Sequence, residues 1–287
     1  MPLIWNYLKR EPGRTTDFSY GGLLMWVNYF KYEFAIVNDT LFIKGVLENH
    51  RDIPAFSLPI GKMTLPESVA MIRDYCNRHG ILAELSAVPE YAVPELEKLG
   101  PSKIEELSDW ADYLYDAETL ATLRGKKMSK KRNHVNKFDS LYPGWSIEKI
   151  TRENVREAMI FMDKFDLEGD SGQMAVDERK LTRELLAYVE KGDLIEKGAI
   201  LKVGGEVAGF TLGDVKGDTL FVHVEKCTRQ FEGSYEKINK EFAAMMMAQY
   251  PEIKYINRED DAGDPGLRFA KESYHPVEML RKYNVRF

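Results

Sequence analysis

The sequence predicts an α/β protein built from two successive copies of one arrangement: three antiparallel strands, a helix and a further strand. Three observations carry this. Short β-rich runs are joined by two-residue polar or glycine turns, and each set is followed by an apolar stripe at helical spacing. The two sets also lie in register: Ala35-Ile36 and Ala199-Ile200 open the hairpins, and Ala55-Phe56 and Thr219-Leu220 each follow 20 residues later. Few identities are shared, so the repeat is one of architecture more than of sequence.

In the first copy, residues 33–37 and 41–47 flank the turn Asn38-Asp39, and 55–60 reads as the third strand. Pro66 suits a first helical turn, Val69, Ile72 and Cys76 recur at helical spacing, Gly80 ends the helix, and 81–85 is the next strand. In the second copy, 199–203, 207–212 and 219–225 are joined by Gly204-Gly205 and Gly217-Asp218. Ser234 reads as the cap of a helix with Ile238, Phe242, Met245 and Met246 on its apolar stripe, and 255–257 is the following strand. Two helices precede the second meander, at 151–165 and 177–189, the latter with Asp177 as cap before Leu181, Leu185, Leu186 and Val189. Helices, a β-meander, a helix and a strand are the element order of the acyl-CoA N-acyltransferase (GNAT) fold. The predicted fold is therefore α/β (α+β), with two tandem GNAT-like domains at 1–110 and 111–287. Each has a mixed central sheet flanked by helices, and the chain after Asp260 crosses back to complete a sheet.

Composition narrows the function. The chain has 287 residues, 44% of them hydrophobic, enough for a globular core. A formal charge of −6 excludes a protein that coats a polyanion with its whole surface. Cys76 and Cys227 are far apart and support neither a disulfide framework nor a Cys-based zinc site. The start MPLIWNYLKREPG has no signal-peptide pattern, and no run approaches the roughly 20 apolar residues that span a bilayer, so a cytoplasmic location is expected.

Charge is nevertheless segregated. Residues 119–138 hold Arg124, Lys126, Lys127, Lys130, Lys131, Arg132 and Lys137 and no acid, a local +7 that leaves −13 for the rest. As a helix, 127–138 places Lys127, Lys130, Lys131, His134 and Lys137 on one face and Met128 and Val135 opposite, a stripe suited to phosphates. The same pattern also fits a solvated face balanced by the acidic stretch 90–118.

Three further segments can carry chemistry. In the strand 220–225, alternation puts Phe221, His223 and Glu225 on one face, so His223 and Glu225 are candidate bases for amine acylation, or else an internally satisfied histidine and a strand-end acid. The loop Gln230-Phe231-Glu232-Gly233-Ser234-Tyr235 precedes a helix, where exposed amides favour anions, though Tyr235 stands where acyl-CoA enzymes of this fold carry a small residue. Asn257-Arg258-Glu259-Asp260-Asp261 follows a strand, where α/β folds open their ligand crevice. Arg258 suits a carboxylate or phosphate, and without a nearby His at ligand spacing the acids do not form a metal site.

The runs LRGKKMSKKRNHVNKF, GGEVAGF, LFVHVEKC with its E-G-S-Y loop, and YINREDD with SYHP resemble the C-terminal domain of phosphatidylglycerol lysyltransferases. The resemblance implies tandem acyltransferase-fold domains that move an amino acid from aminoacyl-tRNA to a lipid or peptide amine or hydroxyl. It implies that Lys131, Arg132 and Asn133 line the donor groove, and that Asn257, Arg258 and Glu259 bound the acceptor and aminoacyl pocket. The expected activity is aminoacyl or acyl transfer. The donor is aminoacyl-tRNA or acyl-CoA, held by Lys127, Lys130, Lys131, Arg132, Asn133 and the loop of Gln230, Gly233, Ser234 and Tyr235, and the acceptor is a small molecule, lipid or peptide. No other cofactor and no metal is required. The alternatives are an acyl-CoA-dependent N-acyltransferase and a ligand-binding module without turnover.

Overall fold

The computed structural model describes residues 2–47, 50–168, 173–192 and 197–287. In chain order the first half comprises α1 (Pro2–Leu8), α2 (Tyr20–Trp26), β1 (Glu33–Val37), β2 (Thr40–Leu47), β3 (His50–Phe56), β4 (Ile60–Gly61), α3 (Leu65–His79), β5 (Glu84–Pro89), α4 (Val93–Glu97) and β6 (Lys103–Glu106). The second comprises β7 (Asp112–Asp116), α5 (Ala117–Thr122), α6 (Ser129–Leu141), β8 (Trp145–Lys149), α7 (Val155–Glu168), α8 (Gln173–Lys191), β9 (Lys197–Val203), β10 (Glu206–Lys216), β11 (Thr219–Cys227), α9 (Ser234–Gln249), β12 (Tyr255–Asn257), α10 (Pro265–Glu272), β13 (Glu278–Leu280) and β14 (Lys282–Arg286).

Two seven-stranded mixed sheets result, ordered β1-β2-β3-β5-β14-β6, with β4 against β2, and β13-β7-β12-β11-β10-β9-β8. The predicted repeat is visible in their pairing. In each, an antiparallel meander is followed by one helix and a strand that pairs parallel with the last strand of the meander, β5 with β3 and β12 with β11. The crossing-back chain is present as β14, inserted between β5 and β6. Compact units follow the sheets: Met1–Tyr113 with Glu259–Pro265 and Met279–Phe287, and Leu114–Arg258 with Gly266–Glu278.

Local chemistry explains the helix ends. Thr64 and Glu67 form a capping box at the start of α3, and Gly80 ends it in the left-handed region at φ 66°. Some boundaries differ from the sequence expectation. The third strand begins at His50, because the ladder with β2 starts at Leu47 opposite His50, and β5 begins at Glu84, after a short connection. Asp177 lies inside α8, which starts at Gln173. Ser234 does not cap α9: Gly233 is the cap residue, and the Ser234 hydroxyl donates to the Thr228 carbonyl at 3.1 Å.

In the first unit, β14 carries the buried Lys282, whose ammonium lies 2.8 Å from Asp17 and 2.7 Å from Asp112. Burial works against this cation, but the charges of Asp112 and Asp17 outweigh it and hold its pKa above the ordinary lysine value. In the second unit, α6 and α9 cover β9 and β10 through Phe138, Leu201, Ala208, Cys227, Phe231 and Ile238. Burying Phe138 or Leu201 contributes about 2–3 kcal/mol each.

Two features of β11 shape the site. It pairs with β12 only over Thr219–Phe221, so its remaining length leaves β12 behind. Against β10, Leu212 faces Val224 and Gly213 faces Val222, which makes His223 an extra residue in a β-bulge and interrupts the alternation expected for 220–225. The bulge needs glycine at 213, since a Cβ there would lie 2.1 Å from the Phe221 carbonyl oxygen. Gly213→Ala is expected to destabilise the chain by about 2–3 kcal/mol, read as a lowered midpoint in urea unfolding.

Candidate active site

The site is built in the second unit where β11 departs from β12. Glu225 lies in the diverging half of β11, and Arg258 is the first residue beyond β12. Their side chains, 10% and 13% exposed, meet with Arg258 Nη2 donating to Glu225 Oε1 at 2.9 Å. From α9, Asn239 Nδ2 donates to the other oxygen, Oε2, at 3.3 Å. The guanidinium sits 4.9 Å from the Tyr274 ring centre and 5.9 Å from that of Tyr115. Behind it, buried Lys271 donates from Nζ to the Arg258 carbonyl at 2.7 Å, and the Tyr115 hydroxyl donates to the Lys271 carbonyl at 2.8 Å. Burial opposes the Arg258 charge, but Glu225 and the neighbouring tyrosines more than compensate and raise its pKa, so it is a permanent cation.

Both partners of Glu225 leave one polar atom over. Arg258 Nη1 and Asn239 Oδ1 are buried and have no hydrogen-bond partner among the described residues. Such orphans are rare in native interiors because each forfeits solvation. One is a donor and the other an acceptor, and the same carboxylate orients both.

Lys131 and Tyr235 complete the wall. Lys131 Nζ, from α6, is 3.3 Å from Glu236 Oε1 and 4.1 Å from the Tyr274 ring centre. Burial lowers its pKa, against the opposing pull of Glu236. Tyr235 is 39% exposed as a whole, but its hydroxyl end lies against the Cys227 backbone, and burial of that end, followed by nearby negative charge, pushes its pKa up to about 12.

Of the sequence-predicted residues, the structure thus brings together Lys131, Glu225, Tyr235 and Arg258. It separates the others. His223 does not join Glu225: its side chain is wholly buried beside Asp214, 3.4 Å from Nε2 to Oδ1. Lys127, Lys130 and Asn133 are exposed at or near the start of α6. Arg132 instead donates to the carbonyls of Leu123 and Gly125 at 2.6 and 3.2 Å and holds the turn before α6. Lys137 pairs with Glu232 at 2.7 Å. Gln230 is exposed, and its amide donates to Thr228 Oγ1 at 3.2 Å. Gly233 is required by packing, since a Cβ there would lie 2.8 Å from the α6 carbonyl of His134, and its φ is +84°. The loop with Gly233 and buried Ser234 is therefore a seat for α6. Asn257 is buried in β12 between Phe221 and Leu114. Glu259 belongs to the first unit, where it accepts from Thr16 Oγ1 at 3.1 Å.

Sequence reasoning missed Tyr115, Glu236 and Asn239 as site residues and quoted Tyr274 only within SYHP. Tyr235, Glu236 and Asn239 were detectable in principle, because residues three and four apart in the first turns of one helix share a face. Tyr115 lies in an ordinary apolar strand and carries no local signal. Among the described residues there is no cluster of His, Cys, Asp and Glu able to hold a metal, and no helix is long and apolar enough to cross a membrane.

Two mixed sheets, each with a meander, a crossover helix and a parallel strand, define a tandem GNAT-like protein of the acyltransferase class. More narrowly, the chain belongs to the family described as phosphatidylglycerol lysyltransferase, C-terminal, whose model matches residues 10–286. It is similar to a solved conserved protein of unknown function from Bacteroides thetaiotaomicron, at 30% identity and a TM-score of 0.89 over 100% of this chain and 96% of that one. The C-terminal domain of a putative lysylphosphatidylglycerol synthetase from Agrobacterium fabrum shares the fold at 12% identity, with a TM-score of 0.68 over 98% and 89% of the two chains. A curated uncharacterised protein of Mycoplasmoides gallisepticum is 26% identical over 178 residues, 61% of this chain and 56% of that protein, so the match spans little more than half of the relative's length.

Removing one member of a mostly buried ion pair leaves the other uncompensated. Glu225→Ala is expected to cost about 3 kcal/mol in urea unfolding, and Glu225→Gln, which keeps an acceptor and the shape, distinctly less.

Proposed function

We propose that the chain transfers an α-aminoacyl group from aminoacyl-tRNA to an amine or hydroxyl acceptor. The observation that carries this reading is the pair of buried, unpartnered atoms on either side of Glu225. An aminoacyl ester presents a carbonyl oxygen to accept from Arg258 Nη1 and an α-amino group to donate to Asn239 Oδ1. A simple acyl group would satisfy only the first. As the acceptor attacks the carbonyl carbon, negative charge gathers on the carbonyl oxygen beside Arg258, and when the carbonyl reforms the bond to the ribose oxygen breaks, that oxygen leaving with the proton the acceptor gives up. A preorganised cation at the oxyanion is worth most in such a partly desolvated place. Glu225, engaged through both oxygens, holds Arg258 and Asn239 in position instead of accepting the proton.

The start of α6 supports a polyanionic donor. Lys130, Lys131 and Arg132 occupy its first turn with no acid, and Lys126 and Lys127 precede it. Helix N-termini ordinarily favour acids, so cations here oppose the macrodipole until an anion arrives. The acyl-CoA alternative depends on the loop of Gln230 to Tyr235, and Tyr235, standing where acyl-CoA enzymes of this fold carry a small residue, favours the aminoacyl reading over it.

Filter binding of aminoacylated tRNA is expected to weaken between about 50 and 200 mM salt with a log-log slope near −3, as for about four phosphate contacts, and Lys127→Glu with Lys130→Glu should flatten it. Salt-independent binding would overturn the tRNA assignment. In an aminoacyl-transfer assay, Arg258→Lys should lower kcat by about 10²-fold with little change in tRNA affinity, because an ammonium cannot hold Glu225 and the carbonyl oxygen in one plane.

A further inference from the structure

Each carboxylate of this site, and the Tyr274 ring between them, already holds a positive charge from the chain itself, while Asn239 Oδ1 is left for the α-amino group common to all aminoacyl donors. Glu225 is paired with Arg258 at 2.9 Å and Glu236 with Lys131 at 3.3 Å. The Tyr274 ring carries both cations, Lys131 Nζ at 4.1 Å and Arg258 Cζ at 4.9 Å from its centre, so its capacity for cation–π contact is used. Glu178, which also bears on Tyr235, is paired with Lys226 at 2.7 Å. The inner set of two acids and two bases is neutral and only partly exposed: Lys131 and Glu236 are 15% and 18% accessible, Arg258 and Glu225 13% and 10%.

A lysyl or arginyl side chain entering this set would add a third cation and shed much of its hydration without meeting an unpaired carboxylate among these residues. Burying a charge without a partner is strongly unfavourable, whereas an alkyl or small polar side chain carries no such penalty. Lys131 is the member that can matter most, because its ammonium occupies both the carboxylate and the ring face that a substrate ammonium would otherwise use.

From this arrangement we infer that the site takes aminoacyl groups with uncharged side chains, and that Lys131 is the specificity-determining residue that excludes cationic ones. The inference rests on the aminoacyl-transfer reading and departs from the lysyl group in the family's description.

The test is calorimetric titration of the intact chain with two non-hydrolysable analogues, alanyl and lysyl groups amide-linked to 3′-amino-3′-deoxyadenosine. The wild type is expected to bind the alanyl analogue at least about tenfold more tightly. Lys131→Gln uncovers Glu236 and one side of Tyr274, so it should reverse the preference toward the lysyl analogue. Adding Glu236→Gln should remove that gain, which a merely loosened site would not do. A wild type that binds the lysyl analogue as tightly as the alanyl one, or better, overturns the inference and leaves aminoacyl transfer standing. So does a Lys131→Gln protein, folded by its thermal transition, with an unchanged ratio. Failure of the wild type to bind either analogue at millimolar concentration strikes the aminoacyl reading itself and takes the inference with it. Lys131→Met is the second variant should Lys131→Gln not fold, and the wild-type ratio decides if neither does.

Discussion

The pair between Glu225 and Arg258 is the interaction on which the working part of this molecule depends. It joins two strands beyond the place where they stop pairing: β11 and β12 run together for three residues and then separate, and this carboxylate and this guanidinium meet across the gap. An opened sheet exposes unpaired backbone and invites water, and a charge pair across the gap sets its width. The same pair orients its neighbours, because Asn239 is held by the second carboxylate oxygen and the aromatic rings of Tyr115 and Tyr274 limit where the guanidinium can go. Lys271 then immobilises the backbone of Arg258 from behind. Each contact is modest alone. Together they hold a cation and an amide in one orientation, the condition for electrostatic preorganisation.

A second constraint comes from α6. Its apolar side, with Val135 and Phe138, is buried, and its carbonyl at His134 approaches Gly233 so closely that no side chain fits there. One helix therefore does two things. It packs against the turn before α9, and it carries Lys131 to Glu236 while leaving Lys127 and Lys130 exposed. The basic run is in this way divided between solvent and pocket.

Much of this was legible in the sequence. The meanders, the crossover helices and the basic segment follow from turn residues, spacing and charge, which act over a few residues. The bulge was not legible: nothing near His223 announces that one extra residue will be accommodated opposite Gly213, and the alternation rule that paired His223 with Glu225 fails there. Nor was the seat at Gly233, which reads as a flexible ligand loop because the partner that demands glycine lies about a hundred residues earlier in the chain. Tyr115 was missed for the same reason: its place in the site comes from Arg258 and Tyr274, which arrive from the segments after β12 and after α10.

Periodicity, turn chemistry and charge runs are local properties of a chain, and from them the class of protein, its duplicated architecture and its segregated basic run could be read directly. Tertiary structure alone decided which residues share a site. That depends on where strands part, which atoms are left without partners once burial is complete, and which charges are already neutralised, and these are sums over segments far apart in sequence. His223 is the plainest case, a titratable group on a promising strand that packing assigns to Asp214. Lys131 is its converse, one lysine among seven basic residues that acquires a distinct role only because Glu236 and Tyr274 converge on it.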